Sequence, residues 1–144
     1  MVVDHIGIVV RSLDTAIKSW VKTFGYRQMT RPVVNTRQKV RVVFLSKEGS
    51  TLVKLIEPVD STSPVSPLSA KGGGLHHLCF RADNLEETMS RLEAQGARVI
   101  VPPEPGEAFE NNPIAFVYVN GLPVEIIATD EKAQRIASGE QDKG

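Results

Sequence analysis

A chain of 144 residues, 41% apolar and 24% charged, has the size and composition of one compact soluble domain with a real core. Lys plus Arg and Asp plus Glu both number 17, so the net charge is zero and nothing argues electrostatically for nucleic acid or an anionic membrane surface. The one cysteine, Cys79, excludes an internal disulfide, no apolar run is long enough to span a membrane, and the N-terminus lacks a secretory pattern, so a cytoplasmic protein is expected.

Residues 4–10 alternate and are β-branched, which predicts a strand with His5, Gly7 and Val9 on one face and Ile6, Ile8 and Val10 on the other. Ser12 is a helix cap, and Leu13, Ala16, Ile17, Trp20, Val21 and Phe24 recur at helical spacing until Gly25 stops the run. The helix should cover Ile6, Ile8 and Val10, which turns His5 away from it. A strand over 26–34 is weakened by Pro32; strands at 40–45 and 51–56 flank the turn Lys47-Glu48-Gly49-Ser50. In the latter strand Leu52, Lys54 and Ile56 share a face.

Residues 59–74 read as a linker rich in Pro, Ser and Gly, with room for a helical turn near 65–70. Residues 75–82 form a strand with His77, Cys79 and Arg81 on one face; His76 falls on the helix side or the strand edge. Asn84 and Glu87 form a capping-box-like start to a helix carrying Leu85, Thr88, Met89 and Leu92 and ending at Gly96. A strand at 98–101, a long acidic loop from Pro102 to Pro113, a strand at 114–119, the Asn120-Gly121 turn and a strand at 123–128 complete the pattern. Residues 129–144 are polar, at most a frayed helix, and carry no assigned function.

The order repeats. His5 and His77 stand 72 residues apart, half the chain, each opening an alternating strand followed by a helix. Lys54 and Glu125 match in the last strand of each half. If the first and last strands are neighbours, His5, Lys54, His77 and Glu125 converge on one cavity across a pseudo-two-fold axis. Two imidazoles and a carboxylate on rigid strands suit a divalent metal such as Zn²⁺, Co²⁺, Ni²⁺, Mn²⁺ or Fe²⁺. The competing reading is a salt bridge from Glu125 to Lys54 with no metal. Arg81, on the His77 face, is the candidate for holding a substrate carboxylate or phosphate. Lys39 and Arg41 are weaker candidates for a charged substrate arm.

The segments His5-Ile-Gly-Ile-Val-Val, Gly-Gly-Gly-Leu-His-His77-Leu-Cys-Phe and Gly121-Leu-Pro-Val-Glu125-Ile resemble the vicinal oxygen chelate superfamily, which includes glyoxalase I, methylmalonyl-CoA epimerase, extradiol dioxygenases and bleomycin-resistance proteins. The resemblance covers residues 3–128 and leans toward the epimerase and glyoxalase branch. It implies an α+β fold in which two βαβββ modules (3–58 and 75–128) form a cupped mixed sheet within a single domain over 1–144, with a metal in the cup and often a homodimer. It also implies a Glu or Gln ligand where this chain has Lys54, and an ammonium is no ligand and repels a dication.

The function so implied is a metal-dependent epimerase, isomerase or lyase on a small oxygen-rich substrate, an acyl-CoA among the candidates, through a metal-stabilised enolate. His5, His77 and Glu125 are the metal ligands, and Glu125 and Lys54 the proton-handling groups. A metal-free binding or sequestration protein is the alternative, and an iron-dependent dioxygenase ranks third.

Overall fold

The computed structural model describes residues 1–137. The β-branched N-terminal run forms β1 (Val2–Val9), and Ser12 then caps α1 (Leu13–Phe24) by accepting a hydrogen bond from the Thr15 amide. Gly25 closes the helix in the left-handed conformation, φ 73°, which a residue with a Cβ adopts at a cost. Glu57 supports the same helix start. Its Oε2 accepts the Leu13 amide at 2.6 Å, and its Oε1 takes Arg41 at 2.9 Å.

The expected strand over 26–34 is two short pieces, β2 (Arg27–Gln28) and β3 (Val33–Asn35), both paired with β4 (Val40–Ser46). Pro32, which has no amide to donate, lies in the break. Then follow β5 (Leu52–Pro58), α2 (Ser66–Ala70), β6 (Gly74–Arg81) and α3 (Leu85–Ala94), the last capped by the Asn84 side chain on the Glu87 amide. The acidic loop expected over Pro102 to Pro113 is corrected by the structure: β7 (Arg98–Gly106) continues through the prolines, a 3₁₀ turn spans Glu107–Phe109, and β8 (Asn112–Val119) begins at once. β7 is the sheet's edge strand and has irregular register around Val101, so prolines there break few ladder bonds. β9 (Leu122–Ile127) closes the second half.

The strands form one nine-stranded sheet, ordered β2-β4-β5-β1-β6-β9-β8-β7, with β3 paired to β4 beside that path. The two halves meet at the antiparallel pair β1–β6, and each of these strands runs parallel to the last strand of its own half, β5 or β9. One sheet face carries α1 and α3. α1 covers Val43, Leu45, Val53 and Leu55, and α3 covers Ala115, Val117, Val124 and Ile126. The other face holds a third cluster built on Val9, Val42, Phe44, Ile56, Cys79, Ile114 and Ile127 and closed by Phe109 and Val65. Residues 129–137 are not a helix. They cross back to the first half, where Arg135 bridges to Thr30 and the Ile136 amide donates to the Met29 carbonyl at 2.9 Å. The rest of the expected C-terminal helix, 138–144, lies outside the described residues.

Candidate metal centre

Strand register explains why four polar side chains meet. Gly7 stands between Lys54 on β5 and His77 on β6, and Cys79 stands between His5 on β1 and Glu125 on β9. These two rows, Lys54-Gly7-His77 and Glu125-Cys79-His5, are related by the pseudo-two-fold axis. Each histidine faces a small residue of the opposite half. At Gly7 the need is steric: a Cβ there would lie 2.2 Å from Cε1 of His77, so the imidazole occupies the space a side chain would take.

His5, His77 and Glu125 are 0, 1 and 1% exposed. His5 Nε2 lies 3.1 Å from Glu125 Oε1, His77 Nε2 lies 3.2 Å from the same oxygen, and the two Nε2 atoms are 3.3 Å apart. Among the described residues, no donor meets that buried oxygen with hydrogen-bond geometry. An ionised carboxylate oxygen that takes no hydrogen bond in the interior is costly, and a metal cation there would compensate it. The spacing suits one: with bonds of about 2.1 Å, ligands at right angles to tetrahedral angles lie roughly 3.0–3.4 Å apart. The three residues therefore fit a divalent metal. A second ion is present in the chain itself, since Lys54 Nζ is 3.7 Å from Glu125 Oε1.

Two β-bulges supply the next layer. The β1–β6 register slips at Asp4 and again opposite His76, the residues just before each histidine. The bulge turns Asp4 inward, where its Oδ2 accepts a hydrogen bond from His5 Nδ1 at 2.7 Å. In the second half His76 Nδ1 lies 2.8 Å from His77 Nδ1. His76 is thus corrected from the helix side or strand edge to the flank of His77. A carboxylate only accepts, so Nδ1 of His5 donates to Asp4, and Nε2 is the ring atom that points at Glu125.

Charge follows geometry. Burial pushes the Asp4 carboxyl up, but the hydrogen bond from His5 and the Lys132 charge outweigh it and hold it below the usual range. Burial also raises Glu125, yet Lys54 and the two imidazoles bring it well below an ordinary glutamate. His77 is lowered to about 3, chiefly by burial and against the pull of Glu125, so its imidazole is neutral and able to ligate. His76 is lowered by burial and by Lys54. Burial raises the Cys79 thiol, which stays protonated although Asp4, His5 and Cys79 form a second cluster of possible ligand atoms.

The structure brings His5, Lys54, His77 and Glu125 together. It draws Arg81 toward Asp4 instead: the guanidinium meets Asp4 Oδ1 at 3.4 Å and pairs with Asp130 at the lip of a cavity of about 520 Å³. Lys39 contacts Thr62, and Arg41 is held by Glu57, so neither reaches the four converging side chains. Three contributors escaped the sequence reading: Asp4, Lys132 and Phe109. Asp4 is adjacent to His5, and regular strand alternation would place it on the opposite face. Lys132 and Phe109 lie on the tail and the 3₁₀ turn, where no periodicity marks a side chain.

The chain belongs to the Glyoxalase/Bleomycin resistance protein/Dioxygenase superfamily, whose family model matches residues 4–118. The ethylmalonyl-CoA/methylmalonyl-CoA epimerase of Cereibacter sphaeroides is 28% identical over 128 residues, 85% of this chain and 94% of that one. The uncharacterized protein YqjC of Bacillus subtilis is 35% identical over 127 residues, 85% of this chain and 89% of the other. The Streptomyces coelicolor methylmalonyl-CoA epimerase in complex with 2-nitronate-propionyl-CoA superposes with a TM-score of 0.78 at 26% identity, covering 90% of this chain and 98% of that one.

Proposed function

We propose that this protein is a metal-dependent epimerase acting on a small acyl-CoA, at the carbon between two carbonyl groups. The observation that carries the reading is the convergence of His5 Nε2, His77 Nε2 and Glu125 Oε1 within 3.1–3.3 Å of one another, with no hydrogen bond to the shared oxygen among the described residues. These three residues would hold the metal, which when bound polarises a substrate carbonyl and takes up the negative charge that develops as the neighbouring C–H loses its proton. The chain handles the proton. Glu125, once released from the metal, is one candidate for the general base, and Lys54, 3.7 Å from it, is the second carrier. Phe44 and Phe109 lie against His5 and keep water from the reacting centre. Arg81 stands at the cavity lip as a partner for a substrate carboxylate. The relatives' epimerase names support the substrate class, and we place the enzyme in the cytoplasm as a homodimer.

The test is exchange in deuterium oxide. Methylmalonyl-CoA incubated with metal-loaded protein should take deuterium at the carbon between the carbonyls and lose stereochemical purity. Metal-loaded protein that leaves this carbon unexchanged contradicts the reading. The Lys54–Glu125 contact favours a second reading, a metal-free protein that sequesters a small molecule, since Lys54 and Lys132 balance Glu125 and Asp4 without any ion. Iron-dependent oxygen chemistry ranks third and is tested as oxygen uptake with catechols.

A further inference from the structure

We propose that the C-terminal segment 129–137 is part of the functional site, and that Lys132 is a positioning residue acting through Asp4 on His5. Lys132 lies 128 positions from Asp4, yet its side chain is only 1% exposed and its Nζ is 3.2 Å from Asp4 Oδ1. The other carboxylate oxygen, Oδ2, accepts the His5 Nδ1 proton at 2.7 Å. The same ammonium sits 5.3 and 5.4 Å from the rings of Phe44 and Phe109, the pair that flanks His5.

The segment is tied down immediately after this contact. The Ala133 amide donates to the Ala108 carbonyl at 2.9 Å, beside Phe109, and the Arg31 amide donates to the Gln134 carbonyl at 2.9 Å. A lysine is buried only where a partner compensates the lost hydration, and here the partner is the carboxylate that orients His5. With Oδ1 engaged by the buried Lys132 and, from the half-exposed side, by Arg81 at 3.4 Å, Oδ2 is left facing the imidazole. The proton is thereby kept on Nδ1 and the lone pair of Nε2 is aimed at Glu125 and His77. Residues behind a histidine ligand set its tautomer and orientation, and losing one costs about 10- to 100-fold in metal affinity. For that consequence alone the proposal rests on the metal reading.

The experiment reads the tautomer directly. Long-range ¹⁵N–¹H spectra of metal-free protein labelled at histidine should show His5 protonated on Nδ1 and bare on Nε2 in the wild type. Lys132→Met should shift population to the Nε2–H form and lower Co²⁺ affinity, followed by its visible absorption, by about tenfold. Lys132→Arg should restore both. A wild-type His5 protonated on Nε2 overturns the proposal with no variant needed. So does a folded Lys132→Met protein with unchanged tautomer and cobalt affinity. Wild-type protein that takes up no cobalt contradicts the metal reading alone, because the tautomer is read without metal.

Discussion

The ammonium of Lys54 lies 3.7 Å from Glu125 Oε1, the oxygen on which both imidazoles also converge. The pseudo-two-fold axis relates these two residues, so one half of the repeat supplies a carboxylate and the other a built-in cation. In the metal-free protein Lys54 is the counter-charge of Glu125. A bound dication takes the same oxygen and meets the ammonium as a repelling neighbour.

Lys54→Gln should therefore act with opposite signs in the two states. Without metal it removes the counter-charge of a fully buried carboxylate, and breaking such a pair destabilises by about 3–5 kcal/mol. With metal the repulsion is gone, and affinity should rise at least tenfold, about 1.4 kcal/mol. Cobalt titration and thermal unfolding with and without the ion check both. Equal affinity in variant and wild type would show that Lys54 does not compete for the site.

Acid should unfold the metal-free protein through His77. Its folded-state pKa is about 3 against an ordinary 6.5, so between those values the unfolded chain binds the extra proton. Stability from this group is whole above pH 6.5 and falls with pH by about 1.4 kcal/mol per unit toward pH 3. Glu125, held well below its ordinary 4.5, adds loss of the same sign as pH drops below that value. Denaturant unfolding across this window is the measurement. Comparison with His77→Gln, which titrates no imidazole, should show a shallower slope.

Gly7→Ala tests the packing of the two rows. An added Cβ would stand 2.2 Å from the His77 ring, so the imidazole must move or the strands must part. Overpacking of this kind costs about 1–3 kcal/mol. Because the displaced group is a proposed ligand, metal affinity should fall together with stability. A variant with wild-type metal affinity would contradict this arrangement.

Much of the constellation was legible because period-2 alternation and an internal repeat are both local patterns. His5 with Gly7, His77 with Cys79, and the match of Lys54 to Glu125 needed only strand parity and a repeat offset of 72 residues for the histidines and 71 for Lys54 and Glu125. What alternation cannot carry is a residue that breaks it. Asp4 and His76 sit in bulges, where one extra residue re-aims a side chain, and sequence gives no sign of where register slips. Lys132 reaches Asp4 across 128 positions through backbone pairing of an irregular tail, a contact fixed by the closed fold and by no neighbour in the chain. The prolines at 102, 103 and 105 argued for a loop, and an edge strand overrode them.

Metal content bears most directly on the central claim that His5, His77 and Glu125 together hold a divalent ion. Elemental analysis of protein loaded with cobalt or zinc and dialysed free of excess should find stoichiometric metal in the wild type and none in His77→Ala. Wild-type protein that retains no metal, or a His77→Ala protein that retains it in full, would contradict the account.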